Sequence, residues 1–343
     1  MQLQLGYKAG TEQFPPTALL QNAIDAEKAG FDSLDVSDHF HPWSEEGQAA
    51  FTWTWLGALA THTSRMHMGT GITCPILRYH PSIIAQAAAT LSCFAPGRTY
   101  LGVGTGEALN DYSSTAMWPE YEEREARLIE ALDLIRQLWS GKEVTFEGKY
   151  YRTKKAMLYT PPASPIPIYY SAFTPRSARI AGKYGDGIIT AGNRQTDPFK
   201  QIIKSFEEGA RQAGRDPANM PRLVELNVEY TNDLETAIEY QRKYWAGAYV
   251  PALYNQKIYT PAMPAQNGEV VGLDTIKNKI ACDSANAEDH IKFATQYIDL
   301  GFNQLSSTRL IPISVPSSKD THMMYCHSCA KKGSNMRHPV GYI

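Results

Sequence analysis

The chain has 343 residues, 43% of them hydrophobic, and its 33 Lys and Arg nearly balance 35 Asp and Glu. That apolar content suits one large core, and no basic tract is present to neutralise a row of phosphates, so a nucleic-acid partner is disfavoured. The opening Met1-Gln2-Leu3-Gln4-Leu5-Gly6-Tyr7-Lys8 lacks a leader pattern, and no segment reaches the apolar length of a membrane span, so the expectation is a soluble, cytoplasmic protein.

In chain order, Leu3 to Lys8 reads as a short buried strand, followed by a helical stretch from Leu19 to Ala29 that Gly30 ends in a left-handed turn. Ser33 to Val36 and Met66 to Thr70 are the next strands; Ser82 to Cys93 is helical, Thr99 to Val103 a strand and Glu120 to Trp139 strongly helical. Ile168 to Ser171, Ile188 to Thr190 after the helix Ala178 to Lys183, Leu223 to Tyr230, and Phe302 to Leu305 after Ile291 to Leu300 complete eight strands. The repeated order of helix, glycine and short apolar strand predicts an α/β fold, a (β/α)8 TIM barrel. A doubly wound sheet is disfavoured, because no Gly-rich crossover is followed some twenty residues on by an acidic partner.

A single catalytic domain is expected over residues 1–306. Two insertions are expected near the rim, at about 143–160, which alternates like a β-hairpin, and at about 247–273, which is rich in Pro and Tyr without periodicity. Residues 307–343 break the pattern with Pro312, Pro316 and a His/Met/Cys cluster, and are expected to be poorly ordered or irregularly packed. The five cysteines, odd in number, argue for a reducing compartment rather than a disulfide framework. Cys326-x-x-Cys329 with His322 and His327 could ligate zinc, but one CxxC without a second spaced pair falls short of real zinc sites, so no metal is assigned.

Two segments carry the chemistry: Ser37-Asp38-His39-Phe40-His41-Pro42-Trp43 and Leu101-Gly102-Val103-Gly104-Thr105-Gly106-Glu107-Ala108-Leu109-Asn110. Each begins where a strand stops, which in a barrel is the rim where active sites are built. His39 can accept a proton near neutral pH, Glu107 can give or take one, and the Gly-rich turn lets a planar cofactor approach the backbone. Asp38-His39 could be an ordinary hydrogen-bonded pair, but its strand-end position, Trp43 as a pocket wall and the second ionisable strand end at Glu107 favour a redox or acid-base site. The glycine spacing is one residue short of the dinucleotide fingerprint, and Glu107 would repel a pyrophosphate there. Trp139-Ser140-Gly141-Lys142 lacks the upstream glycine of a P-loop.

Leu5-Gly6-Tyr7-Lys8-Ala9, Glu12-Gln13-Phe14, Val36 to Phe40 with Pro42-Trp43, Arg78-Tyr79 with Pro81, Gly102 to Asn110 and Arg136 to Gly141 together resemble the F420-dependent glucose-6-phosphate dehydrogenases, members of the luciferase-like TIM-barrel superfamily. Ile72-Thr73-Cys74-Pro75-Ile76, Leu158-Tyr159-Thr160 and the Phe206 to Arg211 helix are similar to the F420-dependent secondary alcohol dehydrogenases. The likeness spans about residues 1–306. It implies coenzyme F420 across the C-terminal mouth of the barrel, with Asp38 near the cofactor and a bulged third strand whose non-proline cis peptide falls at Gly71-Ile72. Thr105, Gly106, Glu107 and Asn110 would hold the other side, and Ala172, Phe173 and Thr174 would approach the cofactor's tail.

The reaction the resemblance implies is oxidation of a carbinol carbon with hydride passing to C5 of the deazaflavin. His39 is then the candidate base with Glu12 as rival or partner, Glu107 serves the proton at N1, and Trp43 shields the developing charge. Arg194, Lys257 and Lys279 fall near the family's phosphate positions, although Lys279 replaces an arginine and Arg194 is displaced by one residue. The expectation is a homodimeric enzyme acting on a small molecule, a sugar 6-phosphate and foremost glucose 6-phosphate. The alternatives are a secondary alcohol dehydrogenase or a cofactor-binding protein without turnover, and FMN in place of F420 stays open.

Overall fold

Alternation along the strands decides which side chains meet the helices and which meet the barrel axis. The computed structural model describes residues 2–250 and 257–308. In chain order its first elements are β1 (Gln4–Ala9), α1 (Pro16–Ala29), β2 (Ser33–Val36), α2 (Thr52–His62), β3 (His67–Thr70), α3 (Pro81–Phe94) and β4 (Thr99–Val103). Then follow α4 (Ala108–Thr115), α5 (Tyr121–Trp139), the hairpin β5 (Val144–Glu147) and β6 (Arg152–Ala156), β7 (Ile168–Ser171), α6 (Pro175–Tyr184), β8 (Gly187–Ala191) and α7 (Asp197–Gln212). The last are β9 (Arg222–Glu229), α8 (Leu234–Trp245), α9 (Ala262–Glu269), α10 (Leu273–Lys279), β10 (Cys282–Asp283), α11 (Ala287–Asp299) and β11 (Gln304–Thr308).

Parallel pairing runs β9-β11-β1-β2-β3-β4-β7-β8, and β8 pairs back onto β9, which closes the expected eight-stranded barrel. Leu5, Tyr7 and Ala9 of β1, Leu34 and Val36 of β2, Leu101 and Val103 of β4, and Val224 and Leu226 of β9 join the core beneath the helices. Because successive side chains on a strand point to opposite faces, the residues that alternate with them, Lys8, Asp35, Tyr100 and Glu225, are directed inward. Tyr100 and Tyr169 stack with ring centroids 4.8 Å apart and form the inner layer with Ile189 and Leu223. The Tyr100 ring takes the space at Gly69, where a Cβ would lie 2.4 Å from it.

Helix ends follow local chemistry. Pro16 and Pro175 open α1 and α6, where a missing N–H costs nothing, and Gly30 closes α1 at φ 102°. The last strand lies at Gln304–Thr308 rather than at Phe302 to Leu305, because Gly301 and Phe302 turn back onto α11, Phe302 donating to the Tyr297 carbonyl at 3.1 Å. The predicted hairpin is present, antiparallel as expected. Its turn lies against α5, with Glu130 accepting from the backbone of Lys149, Tyr150 and Tyr151, and the Tyr151 hydroxyl reaches the Ile76 carbonyl at 2.8 Å. Within 247–273 the structure holds α9, a helix that composition hides, since its Pro264 falls in the first turn. No described helix is long and apolar enough to cross a membrane. Cys74, Cys93 and Cys282 are free. The tail after Thr308, with Cys326 and Cys329, lies outside the described residues.

Candidate active site

The loop after β2 carries His39 to the mouth, the loop after β1 carries Glu12, and the loop after β4 carries Glu107 at the cap of α4. His39 Nδ1 lies 3.0 Å from the His41 carbonyl, which can only accept, so Nδ1 holds the ring proton and Nε2 is the atom that gains or gives one. Nε2 lies 3.2 Å from Glu12 Oε1 and 3.5 Å from Glu107 Oε2, so one imidazole nitrogen is shared between two carboxylates. Glu12 is buried and its second oxygen accepts from the Ser37 hydroxyl and, at 3.4 Å, from Thr11 Oγ1. Loss of hydration pushes the Glu107 carboxyl above the usual carboxylate range; nearby His39 opposes the shift and Glu12 adds to it.

Asn110 fixes this arrangement from the first turn of α4. Its Oδ1 accepts from the backbone of Phe40 at 2.8 Å and His41 at 3.1 Å, and its Nδ2 donates to Glu107 Oε2 at 3.3 Å. Both ends of the amide are thus spent on tying the His39 loop to Glu107. Trp43 is buried, with its ring 6.0 Å from that of His39, and belongs to an apolar cluster with Ala108, Leu109 and Ile258. A wall of that kind keeps water from the shared nitrogen.

Asp38 is buried, and its carboxylate is taken by protein donors: the Thr73 hydroxyl, the Tyr79 hydroxyl at 3.1 Å and Arg78 Nη2 at 3.0 Å. The peptide between Gly71 and Ile72 is cis, as the resemblance implied. Beyond that break the strand resumes at Thr73, which bridges to Val103, so residues 71 and 72 form the bulge of β3. Ile72 is partly buried on top of the inner layer of Tyr100, Tyr169, Ile189 and Leu223.

The glycines at the end of β4 and in the turn beyond it are also required by close contacts. A Cβ at Gly102 would sit 1.9 Å from the Thr70 carbonyl oxygen, and one at Gly104 would sit 1.9 Å from Ile72 Cδ1. The neighbouring bulge therefore demands both. Gly106 has φ +84°, and a Cβ there would come within 2.5 Å of Asp111 Oδ2. Asp111 is buried and pushed up to about 6 by desolvation against the pull of Arg78. The Thr105 and Gly106 carbonyls accept from Arg124, whose guanidinium lies 3.7 Å over the Trp118 ring.

On the opposite side of the mouth, Ala172 is buried and carries the β7 ladder one residue further by donating to Ile189 at 2.9 Å. Phe173 is exposed, and Thr174 closes a capping box with Ser177 at the start of α6. Arg194 is ion-paired to Asp283, and its Nε donates to the Ile280 carbonyl at 2.8 Å. Lys279, half-buried, lies 5.4 Å over the Tyr249 ring, and burial pulls its pKa down. Lys257 is exposed and lies 5.7 Å over the Tyr112 ring, beside the Trp43 cluster. The structure thus brings Glu12, His39, Glu107, Asn110 and Trp43 into one network. It ties Arg194 to the residue next to Lys279, and sets Lys257 against a different element.

The sequence motifs include Ser37, Arg78, Tyr79 and Lys8 but give them no role; Asp111 and Arg124 in the shell, and Asp35 and Glu225 beneath it with Lys8, have none either. The signal for the last three was present, as charged residues at alternate positions of strands otherwise read as buried.

The family profile described as luciferase-like monooxygenase matches residues 2–304. The F420-dependent glucose-6-phosphate dehydrogenase of Mycolicibacterium gilvum (strain PYR-GCK) is 41% identical over 308 residues, which is 89% of this chain and 91% of that protein. The enzyme of the same name from Mycolicibacterium smegmatis (strain ATCC 700084 / mc(2)155) is 40% identical over 310 residues, with 89% and 91% covered. Among solved structures, an F420-dependent secondary alcohol dehydrogenase in complex with an F420-acetone adduct superposes with a TM-score of 0.89 at 39% identity, over 96% of this chain and 99% of that one. The closed barrel, the bulge after β3 and the match over nearly all of the described chain lead to one conclusion: the protein belongs to the luciferase-like monooxygenase family, within the group that includes these F420-dependent dehydrogenases.

Proposed function

We propose that the protein is an F420-dependent dehydrogenase that oxidises a CH–OH group, with glucose 6-phosphate, converted to 6-phosphogluconolactone, as the leading substrate. The observation that carries the reading is the single nitrogen, His39 Nε2, held within 3.5 Å of two carboxylates at the barrel mouth. It is supported by relatives of that name at about 40% identity. Bound F420 supplies the two-electron acceptor. The mouth fits a flat conjugated ring: Ile72 on the bulge offers an apolar surface, Trp43 an apolar wall, and Glu107 and Asn110 polar edges. Asp38, Gly71, Ile72, Thr105, Gly106, Glu107 and Asn110 are assigned to the ring system, and Ala172, Phe173 and Thr174 at the start of α6 to the anionic tail, which a helix N-terminus favours.

His39 Nε2 takes the hydroxyl proton as the carbinol carbon is oxidised. The imidazolium formed is stabilised by Glu12, whose orientation is fixed by Ser37. Burial raises the Glu107 carboxyl, which favours it as the acid at the edge where F420, when bound, would gain negative charge on reduction. Trp43 excludes water from both transfers. Arg194, Lys257 and Lys279 are assigned to the phosphate.

One feature favours a second reading, a secondary alcohol as substrate: Asp283 already neutralises Arg194, which leaves fewer free positive charges for a phosphate. The deciding assay follows the loss of deazaflavin absorbance with glucose 6-phosphate and with isopropanol. Faster reduction by the sugar phosphate supports the first reading; faster reduction by isopropanol replaces it with the second. We also assign a homodimer and a cytoplasmic location, which sedimentation and fractionation test.

A further inference from the structure

Beneath the mouth, three charged side chains that the mechanism above does not use converge on the bulge. Lys8 Nζ lies 2.8 Å from Glu225 Oε1 and 3.0 Å from Asp35 Oδ2, and donates its remaining hydrogen bond to the carbonyl oxygen of Gly71. The Ser306 hydroxyl binds the other oxygen of Asp35. Lys8 and Asp35 are buried, so this ammonium has given up water for three protein acceptors. Gly71 itself is shaped by the trio: a Cβ there would fall 2.5 Å from Asp35, 2.7 Å from Glu225 and 2.8 Å from Lys8. The open side of Gly71 thus faces the barrel interior and leaves Ile72 to present the bulge at the mouth.

We infer that Lys8 is a positioning residue for the cofactor: by holding the Gly71 carbonyl it fixes the bulge, and with it the Ile72 surface against which the ring lies. The inference rests on the reading of the mouth as an F420 site. Burial alone would lower the Lys8 pKa, but Glu225 and Asp35 outweigh it and favour the charged ammonium. Burial and the neighbouring Asp35 push the Glu225 carboxyl upward while Lys8 pulls it down, so the trio forms one tightly coupled charge cluster. A purely electrostatic role would end at the Lys8–Asp35 pair; the donated bond to Gly71 gives the ammonium a second task.

That division makes the test. F420 binding is titrated by quenching of its fluorescence in wild type, Lys8→Met and the Lys8→Met/Asp35→Asn double variant, with Tm measured on each. The expected result is a loss of F420 affinity on the order of tenfold or more in Lys8→Met, the scale of one hydrogen bond to a charged group. In the double variant, removal of the unpaired carboxylate restores Tm toward wild type, while the affinity stays low because the Gly71 carbonyl still lacks its donor. At saturating F420, kcat is retained within a few fold. If Lys8→Met does not fold, the double variant carries the comparison. Recovery of affinity together with Tm in the double variant, or wild-type affinity in both variants, overturns the inference and leaves the F420 reading intact. Absence of quenching by the wild-type protein overturns that reading and the inference together.

Discussion

The two sides of the barrel mouth hold their charges differently. On the β1–β4 side, Glu12, Asp38 and Asn110 are buried, and each has at least two protein partners within hydrogen-bonding reach. On the β8–β10 side, Arg194 has one ion pair and one carbonyl and Lys279 lies over a single aromatic ring; Lys257, exposed over Tyr112 of α4, is held as loosely. Groups that must meet a developing charge are preorganised by rigid neighbours, since reorganisation during reaction would waste the interaction. Groups that grip a remote part of a substrate can be looser, and they are the ones a few substitutions can retune.

The largest effect expected from this contrast is at His39. His39→Ala removes the shared nitrogen and should lower kcat by about a hundred- to ten-thousandfold, the usual range for positioned acid-base groups, with F420 affinity little changed. Steady-state turnover and a fluorescence titration on the same preparation measure both quantities. Unchanged kcat would move the base role to Glu12, and a parallel loss of affinity would make His39 a cofactor ligand instead.

Glu107→Gln comes next, with an expected loss of about a hundredfold in kcat. Its sign with pH is fixed by the raised pKa: Glu107 keeps its proton to higher pH than an ordinary carboxylate, so activity that needs this acid falls as pH rises through that value. The Gln variant should lack this alkaline limb. A pH–kcat profile of the variant that keeps the limb would assign it elsewhere.

The unequal construction of the two sides also explains what could be read from the sequence. The barrel and the His39 and Glu107 segments were legible because strand, turn and ionisable residue are contiguous in each. The shared geometry at His39 Nε2 joins residues 12, 39 and 107, and its existence depends on Asn110 bonding backward to Phe40 and His41, which no local pattern announces. The glycines at 102 and 104 also answer a packing demand that their spacing does not announce. Their partners are Thr70 and Ile72 on the adjacent strand, and only cross-strand register reveals that contact. The association of Lys8, Asp35 and Glu225 is hidden because each stands alone in an apolar run; closure of the barrel brings them together. On the other side, α9 was obscured by its prolines, and the pairing of Arg194 with Asp283 spans 89 positions.

A smaller effect is expected at Lys279. Reversal to Glu puts a negative charge where the phosphate would lie, and should raise KM for glucose 6-phosphate on the order of tenfold while kcat and the rate with isopropanol hold steady, because the interaction is made equally in ground and transition states. Burial lowers the pKa of this lysine, so KM in the wild type should climb with rising pH before an ordinary lysine would lose its proton. Equal effects on both substrates would show that Lys279 supports the fold of the rim through Tyr249 and does not read the phosphate.

The smallest and sharpest test is Asp283→Asn. Asp283 binds the Arg194 guanidinium and leaves its Nε on the Ile280 carbonyl, so loss of the carboxylate should free the charge without releasing the side chain from its place. The Arg194 side chain is 39% exposed, and ion pairs in that setting are worth about 0.2–1 kcal/mol, so the expected gain is no more than about fivefold. If the phosphate reading holds, KM for glucose 6-phosphate falls by a few fold and becomes more sensitive to salt, since a freed surface charge is screened at about 10 Å in 0.1 M salt. If the pair instead exists to cancel Arg194 in an enzyme for uncharged alcohols, the variant gains affinity for sugar phosphate from a baseline that the wild type lacks, and isopropanol turnover is unaffected. The two sides of the mouth then separate cleanly: conversion of an alcohol enzyme toward a phosphate enzyme would need a change only on the loosely held side.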